Sequence, residues 1–276
     1  MMNVDLIAVD LDGTLVNNGK MDLADKKAVK RVMDKGIPVI PATTRLRIST
    51  LQMIDGLPMT EHPLICNNGA RVLGPGWDDT QSLDEWRCTN LHDDIAEIFT
   101  TYADEQRYEL STVFKERVCW VARDGDNLGQ HPEDPKIWYS KSNRDALKFG
   151  VPINFMMHDE RNGKEGLKDI EEFVQSNFPD KIKLDRHHYF DDWRAISVYD
   201  SSVSKYSALK LVNDKLNLDI ENVMAIGNDE VDLEMIDKAG IGVAMENSPD
   251  YVKEKADHVA PSCTNNGIEW ILNKLI

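Results

Sequence analysis

The sequence predicts an α/β protein in which a parallel sheet forms the main body and a second, α+β module is inserted into it. Three observations lead to this prediction. Short apolar runs alternate with amphipathic helical stretches at both ends of the chain, which is typical of strand–helix–strand units with parallel strands. A polar cluster follows several of these runs, where open α/β sheets place their ligand sites. The middle of the chain lacks this pattern, so we predict a core from residues 1–81 and 194–276 and an insert from residues 82–193.

The first part of the chain contains three short apolar runs and one amphipathic helix. We predict that the helix spans residues 22–35, with Asp22 as its N-cap and Gly36 as the residue that ends it. The predicted strands are residues 4–9, 37–40 and 63–66.

The insert is predicted to mix helices and strands around a polar loop at Asp124–Pro135. Its predicted helices are Leu91–Tyr102 and Lys164–Phe178, and its predicted strands are Val118–Ala122, Ile137–Tyr139, Pro152–Met157 and Ile182–Leu184. From Ala195 the first pattern resumes. The expected strands there are Ala195–Tyr199, Val223–Ile226, Ile241–Ala244 and His258–Ala260, and the expected helices are Ser204–Leu216, capped by Ser204, and Gly267–Ile276.

The amino-acid composition argues against several classes of function. The net charge of −16 argues against binding to nucleic acid or to an anionic membrane surface, because both need a basic surface. The sequence has neither a run of about 18 apolar residues nor a basic N-terminal stretch of the secretory kind. Four widely spaced cysteines form no C-x-x-C pair, so we expect them to be reduced and the protein to be cytoplasmic.

Asp10 and Asp12 follow the first predicted strand and carry the sharpest chemical signal. One carboxylate can attack an electrophile while the other handles a proton. Two nearby anions need a cation, and Mg²⁺ prefers carboxylate and phosphate oxygens. An ordinary Asx turn is the alternative interpretation of D-x-D by itself. The longer pattern D-x-D-G-T after a buried strand favours the catalytic interpretation.

The residues Val9 to Leu15 (V-D-L-D-G-T-L) resemble motif I of the haloacid dehalogenase superfamily. The other motifs of that superfamily's Cof-type branch, whose members carry an α/β cap domain between motifs II and III, have counterparts along the chain. These are Ala42-Thr43-Thr44-Arg45 for motif II, Asn68-Gly69-Ala70, Val203-Ser204-Lys205 for motif III, Gly227 to Asp232 for motif IV, and the ending Gly242 to Asn247.

The resemblance implies a Rossmann-like core with an inserted cap domain and the activity of a Mg²⁺-dependent phosphatase. Asp10 would form an aspartyl-phosphate, and Asp12 would act as general acid and base. The substrate would be a small phosphorylated metabolite, such as a sugar phosphate, and the protein a monomer or a homodimer. The implied phosphate-binding residues are Thr43, Thr44, Arg45, Asn68, Gly69 and Lys205, and the implied metal ligands are Asp10, Asp12, Asn228, Asp229 and Asp232.

Three residues depart from the pattern of the family. Thr44 replaces a glycine, Asn228 replaces an aspartate that ligates magnesium, and Val231 replaces an asparagine. A carboxamide oxygen still binds a hard cation but lacks the charge, and Asp229 is an alternative source of that charge. Two other functions therefore stay open, namely phosphoryl transfer of the mutase type and non-catalytic binding of a phosphorylated ligand.

Overall fold

The computed structural model of the chain describes residues 3–54, 56–121, 137–189 and 192–276. The chain divides into two compact units, which we call the core unit (Met1–Cys88 with Ser204–Ile276) and the insert unit (Thr89–Val203). The predicted polar loop Asp124–Pro135 lies outside the described residues.

The elements are numbered in chain order. The strands are β1 (Leu6–Val9), β2 (Val39–Pro41), β3 (Leu64–Cys66), β4 (Arg71–Leu73), β5 (Glu85–Cys88), β6 (Ser111–Val113), β7 (Val118–Val121), β8 (Ile137–Ser140), β9 (Asn154–His158), β10 (Ile182–Tyr189), β11 (Asp192–Asp200), β12 (Val223–Gly227), β13 (Ile241–Met245) and β14 (His258–Ala260). The helices are α1 (Leu23–Asp34), α2 (Arg47–Met53), α3 (Asp93–Gln106), α4 (Asn143–Ala146), α5 (Asp159–Asn177), α6 (Lys205–Leu216), α7 (Leu233–Lys238), α8 (Asp250–Lys253) and α9 (Gly267–Leu275).

The core unit is built on a parallel sheet with the strand order β14-β13-β12-β1-β2. Its central strand β1 is apolar throughout because both of its faces are covered. Ile7 and Val9 pack with residues of α1 and α9, whereas Leu6 and Ala8 pack with residues of α6. A parallel bridge between Ala42 and Ile65 brings β3 next to the end of β2. The carboxyl ends of these strands therefore meet at one edge of the sheet.

The local signals for the helix ends are confirmed. The Asp22 side chain accepts a hydrogen bond from the Ala24 N–H at the start of α1. Gly36, just after the helix, has a φ of +86°, a conformation that glycine adopts without strain. Ser204 caps α6 by accepting from the Ser207 N–H.

The insert unit contains a six-stranded sheet with the order β10-β11-β9-β6-β7-β8, in which only β7 and β8 pair in parallel among the described strands. Its apolar core joins Phe99 of α3 and Ile170 of α5 to Phe155 and Ile196 of the sheet. No helix in the described part of the chain is long and apolar enough to cross a membrane.

One strand lies in a different sheet from the one that the sequence predicts. Residues Ala195–Tyr199 were expected to resume the core pattern, but they belong to β11, which pairs with β9 and β10 in the insert unit. The reason is that β10 and β11 form an antiparallel pair along almost their whole length. At the other limit, Glu85–Cys88 pairs with β4 in the core unit. The compact units divide after Cys88 and after Val203, whereas the predicted insert spans residues 82–193.

The buried carboxyl group of Asp25 in α1 gives the core unit a pH-dependent stability. Its Oδ1 accepts from the Glu269 N–H at the start of α9 (2.8 Å). The pKa of Asp25 is raised to about 6. Burial is the main cause and the nearby Asp22 adds to it, whereas the hydrogen bond from Glu269 lowers the pKa. Between pH 4 and 6 the folded state therefore binds more protons than the unfolded state, so the free energy of unfolding falls as the pH rises through this range.

We predict that an Asp25→Asn variant loses this contribution. The difference in unfolding free energy between the variant and the native protein should therefore shift in favour of the variant by about 1 to 2 kcal/mol from pH 4 to pH 7. The shift is no larger because solvent screens part of the cost of burying the charge. Urea denaturation at a series of pH values measures this difference. Asp34→Asn, at the exposed end of the same helix, is the control. Equal pH profiles for Asp25→Asn and the native protein would contradict the prediction.

Candidate active site

Asp10, Lys205 and Asp232 form a buried ion cluster at the carboxyl edge of the parallel sheet. Asp10 follows β1, and its N–H donates to the Ile226 carbonyl of the neighbouring strand β12. Lys205 is the first residue of α6 and is completely buried. Its Nζ donates to Asp10 Oδ1 and to Asp232 Oδ1, at 2.6 Å each. The cluster therefore joins the end of β1 to the start of α6 and to the loop after β12.

The charges of this cluster are strongly coupled. The pKa of Asp10 is raised to about 7, because burial and then the Asp232 carboxylate raise it more than the Lys205 ammonium lowers it. Burial by itself would lower the pKa of Lys205, but the two carboxylates outweigh burial and hold this pKa above its ordinary value. Lys205 is thus a permanent cation. Two carboxylates share one ammonium, so the cluster retains an excess of negative charge when both are ionised.

Asp232 also fixes the loop that follows β12. Its Oδ2 accepts from the N–H groups of Asn228 (2.9 Å) and Asp229 (3.1 Å). Gly227 allows this close approach, because a Cβ at that position would lie 2.4 Å from the Cβ and Cγ of Asp232. Both carboxylate oxygens of Asp232 are therefore engaged by donors of the chain itself.

The carboxamide of Asn228 reaches the two aspartates of motif I. One of its terminal atoms lies 2.8 Å from Thr14 Oγ1, 2.8 Å from the main-chain oxygen of Asp12 and 3.2 Å from Asp10 Oδ2. If this atom is nitrogen, all three oxygens lie within reach of its two hydrogens, which can go to Asp10 Oδ2 and to the Asp12 carbonyl. If it is oxygen, it accepts from the Thr14 hydroxyl and faces two further acceptors. The second arrangement is favourable only with a cation among the oxygens.

The side chain of Asp12 lies in an ion pair with Arg45. Arg45 Nε donates to Asp12 Oδ2 (2.5 Å) and Nη2 donates to Oδ1 (2.7 Å), while roughly half of the Asp12 side chain stays exposed (47%). This fork-like pairing orients both groups. It brings Arg45 to the mouth of the site, next to the residue that the sequence predicts as general acid and base.

The other two predicted phosphate-binding residues of motif II, Thr43 and Thr44, precede Arg45 directly. The Thr43 side chain is buried, and its Oγ1 accepts from the Arg45 N–H (3.1 Å). The Thr43 carbonyl accepts from the Asn68 N–H (3.0 Å), which ties the turn containing Asn68 to motif II. Thr44, between Thr43 and Arg45, is partly exposed.

Gly69 packs against the start of α6. A Cβ at Gly69 would lie 2.2 Å from the Ser204 carbonyl oxygen, and the residue has a φ of +91°. Only glycine fits this approach and this backbone conformation. The structure therefore gives Gly69 a packing contact with the residue that precedes Lys205.

Asp229 points into its own turn. Its Oδ1 accepts from the Glu230 N–H (2.7 Å), and the residue forms a capping box with Asp232. Asn228, rather than Asp229, is thus the residue of this loop whose side chain reaches Asp10. The contribution of Asp229 to a metal site stays a prediction.

Two residues of the site were not singled out from the sequence. The Thr14 hydroxyl contacts the Asn228 carboxamide, and Asn247 Nδ2 donates to the Gly13 carbonyl (2.9 Å). Both lie within motifs quoted above, at the ends of D-x-D-G-T and of Gly242 to Asn247. Their position within these motifs is the sequence signal that could have pointed to Thr14 and Asn247. Their contacts with Asn228 and Gly13 depend on the fold.

The donor set fits Mg²⁺ in geometry but carries little charge. Among the described residues no group of three or more His, Cys, Asp or Glu side chains could hold a metal ion. One terminal atom of the Asn228 carboxamide nevertheless lies 2.8 Å from the Asp12 carbonyl oxygen and 3.2 Å from Asp10 Oδ2. Adjacent ligands of an octahedral Mg²⁺ are about 2.9 Å apart, since each lies about 2.0–2.1 Å from the ion. The distances from the carboxamide to one carboxylate oxygen and to one carbonyl oxygen are therefore close to the spacing of Mg²⁺ ligands.

The fold and the site define a Rossmann-like α/β protein with an acid-rich site at the carboxyl edge of its sheet. A family model described as haloacid dehalogenase-like hydrolase matches residues 7–272. The chain therefore belongs to the haloacid dehalogenase-like hydrolase family. The family membership, the fold class and the hydrolase class that the sequence predicts are confirmed.

Relatives extend over the full chain. The chain is 29% identical to the 5-amino-6-(5-phospho-D-ribitylamino)uracil phosphatase YcsE of Bacillus subtilis, over 98% of this chain and 97% of the relative. It is 25% identical to a phosphoglycolate phosphatase of Methanobrevibacter smithii, over 100% of both chains. Its fold is similar to the solved structure of a subclass IIB sugar phosphatase of the superfamily, with a TM-score of 0.76 and 18% identity over 98% of each chain.

The buried ion cluster predicts a large effect of removing Lys205. A Lys205→Met variant leaves Asp10 and Asp232 buried without their shared cation, so the free energy of unfolding should fall by about 3 to 5 kcal/mol. Urea denaturation at pH 7 measures this loss. The double variant Lys205→Met/Asp232→Asn also removes the negative charge of Asp232, so its free energy of unfolding should be at least about 1 kcal/mol higher than that of Lys205→Met. A single variant as stable as the native protein would show that the cluster does not contribute in this way.

Gly69 and Gly36 form a matched pair for testing the contact with α6. Both have positive φ values, +91° and +86°, but nothing lies within 4 Å of a Cβ at Gly36. Gly36→Ala should therefore report backbone strain alone, at about 1 kcal/mol. Gly69→Ala should be destabilising by at least about 1 to 2 kcal/mol more, because its Cβ collides with the Ser204 carbonyl. Thermal or urea denaturation compares the two, and equal losses would exclude a special role of the contact.

Proposed function

We propose that the chain is a Mg²⁺-dependent phosphatase that hydrolyses a small phosphomonoester through an aspartyl-phosphate on Asp10. The observation that supports this proposal most directly is the position of Asp10 at the end of β1, with Oδ1 held by the buried Lys205 and Oδ2 directed towards Asn228. A carboxylate with one fixed oxygen is oriented for attack along a single direction.

In the first step, a carboxylate oxygen of Asp10 attacks phosphorus and the bond to the ester oxygen breaks. The leaving oxygen takes a proton from Asp12, which must reach the step in its protonated form. In the second step, Asp12 takes a proton from water, the resulting hydroxide attacks the phosphorus of the aspartyl-phosphate, and the bond to Asp10 breaks. The products are the alcohol and inorganic phosphate, and both aspartates return to their starting states.

Arg45 connects substrate binding to the state of Asp12. In the structure its guanidinium donates to both carboxylate oxygens of Asp12. A substrate phosphate offers the same fork a second bidentate acceptor. We propose that Arg45 moves from Asp12 to the phosphate when the substrate binds, which leaves Asp12 available for proton transfer.

Asp10 Oδ2, the Asp12 carbonyl and Asn228 would hold the Mg²⁺. When bound, the ion screens the repulsion between Asp10 and the phosphate and stabilises the charge that develops during transfer. The backbone around Asp10 adds to phosphate binding. Within the described residues, no backbone carbonyl accepts from the N–H groups of Leu11 and Asp12, which follow the nucleophile. Such paired N–H groups in a turn bind anionic oxygens.

The names of the relatives and the presence of the insert unit support a proposal for the substrate class. YcsE is named for a phosphoribityl substrate, and the Methanobrevibacter relative for phosphoglycolate. We propose a small phosphorylated metabolite of this kind, such as a phosphorylated sugar or polyol, for this chain. The insert unit would act as the cap domain that selects the leaving group. The rival functions, phosphoryl transfer to a second hydroxyl and binding without turnover, gain support from no relative described above.

We expect an Asp10→Asn variant to lose phosphatase activity by about a thousandfold or more, because the amide cannot attack phosphorus. Phosphate release from an aryl phosphate and from a panel of sugar, polyol and glycolate phosphates, with and without Mg²⁺, provides the measurement. Glu230→Gln, in the loop after β12, is the matched control and should stay active. Turnover by Asp10→Asn would exclude this nucleophile. Conversion of the substrate to an isomer without phosphate release would favour the mutase alternative.

A further inference from the structure

The site is saturated by donors of the chain itself. Lys205 occupies Asp10 Oδ1, and Arg45 occupies both carboxylate oxygens of Asp12. The two remaining oxygens, Asp10 Oδ2 and the Asp12 carbonyl, both lie beside the same terminal atom of Asn228. When that atom is nitrogen, one of its hydrogens can go to Asp10 Oδ2 and the other to the Asp12 carbonyl. Both oxygens then have a hydrogen-bond donor without any metal.

An aspartate at position 228 could not create this state. Its carboxylate would place a further negative oxygen 2.8 Å from the Asp12 carbonyl and 3.2 Å from Asp10 Oδ2, with no hydrogen between them. Such oxygens repel one another until a cation binds. The carboxamide differs because a half-turn exchanges a donor for an acceptor at the same place.

Thr14 allows both orientations of the carboxamide. Its hydroxyl is buried and lies 2.8 Å from the Asn228 terminal atom. Because a hydroxyl rotates about its C–O bond, Thr14 can donate to Oδ1 or turn its hydrogen away and present an oxygen lone pair to Nδ2. Gly13 leaves the space for the side chain, since a Cβ there would lie 2.7 to 3.1 Å from the carboxamide atoms.

We propose that the Asn228 carboxamide is a two-position switch for metal binding, which rests on the function proposed above. In the metal-free protein, Nδ2 donates to Asp10 Oδ2 and to the Asp12 carbonyl and keeps the site folded. When Mg²⁺ enters, the carboxamide would turn by half a rotation, so that Oδ1 becomes a ligand and accepts a hydrogen bond from the Thr14 hydroxyl. The switch makes the metal-free state stable and the affinity for Mg²⁺ low.

The first experiment compares the native protein with Asn228→Asp by calorimetric titration with Mg²⁺ and by thermal denaturation without metal. We expect Asn228→Asp to bind Mg²⁺ about tenfold more tightly or better, because a charged ligand replaces a neutral one. We also expect its metal-free Tm to be lower by about 2 to 4 °C, a loss that Mg²⁺ restores. Equal Mg²⁺ affinities, or an equal metal-free Tm, would overturn the proposal.

Two controls separate the switch from other effects. Asn177→Asp adds the same charge at the end of α5 in the insert unit, so its Mg²⁺ affinity should stay within about threefold of the native value. Asp229→Asn tests the alternative in which Asp229 supplies the charge. A larger loss of Mg²⁺ affinity in Asp229→Asn than in Asn228→Ala would overturn the proposal in favour of that alternative.

A second measurement needs no variant. In native protein labelled with ¹⁵N at asparagine side chains, one carboxamide NH₂ signal should shift on saturation with Mg²⁺, because its acceptors change. If all of these signals keep their positions, the proposal fails. Neither measurement involves turnover. A native protein that binds Mg²⁺ as described but releases no phosphate would therefore overturn the proposed function and leave the switch intact.

Discussion

The ammonium group of Lys205 lies between two buried carboxylates, at 2.6 Å from Asp10 and from Asp232. Neither carboxylate can be buried in the ionised form without such a partner. The contact therefore requires the end of β1, the start of α6 and the loop after β12 to meet at one point. Two glycines allow close packing at the start of α6 and in the loop after β12. Gly69 admits the Ser204 carbonyl, which precedes Lys205, and Gly227 admits the Asp232 side chain.

Features that depend on neighbouring residues could be predicted from the sequence. The strand Leu6–Val9, the helix that starts at Asp22, and the Ser204 cap all follow from apolar spacing and from the hydrogen-bonding capacity of one side chain. The sheet membership of Ala195–Tyr199 could not be predicted in this way. An apolar strand has the same composition in either sheet, and its choice was made by pairing with β10 and β9.

The site shows the same division. Motif I placed Asp10 and Asp12 at the end of a strand, and the order of the motifs brought Lys205 to them. The partners of the individual oxygens did not follow, because they depend on where a loop turns. Asp229 is charged and adjacent to Asn228, yet its carboxylate accepts from the Glu230 N–H, and the neutral Asn228 reaches Asp10 instead. The Arg45 guanidinium could reach either a phosphate or a carboxylate, and the fold pairs it with Asp12.

The charges of the site explain why the proposed reaction includes a cation. Lys205 is matched by two carboxylates, and Arg45 is matched by Asp12, so the site carries an excess of one negative charge when all three carboxylates are ionised. The whole chain adds a net charge of −16. A phosphomonoester dianion entering such a site meets no surplus positive charge, and at distances near 4 Å this repulsion amounts to several kcal/mol where solvent is partly excluded. Lys205 cannot relieve it without leaving its carboxylates buried. Under the proposed function, a divalent cation beside Asp10 would reverse the sign of the local charge. Because Asn228 is neutral, the arrival of that cation would then be the condition for phosphate binding.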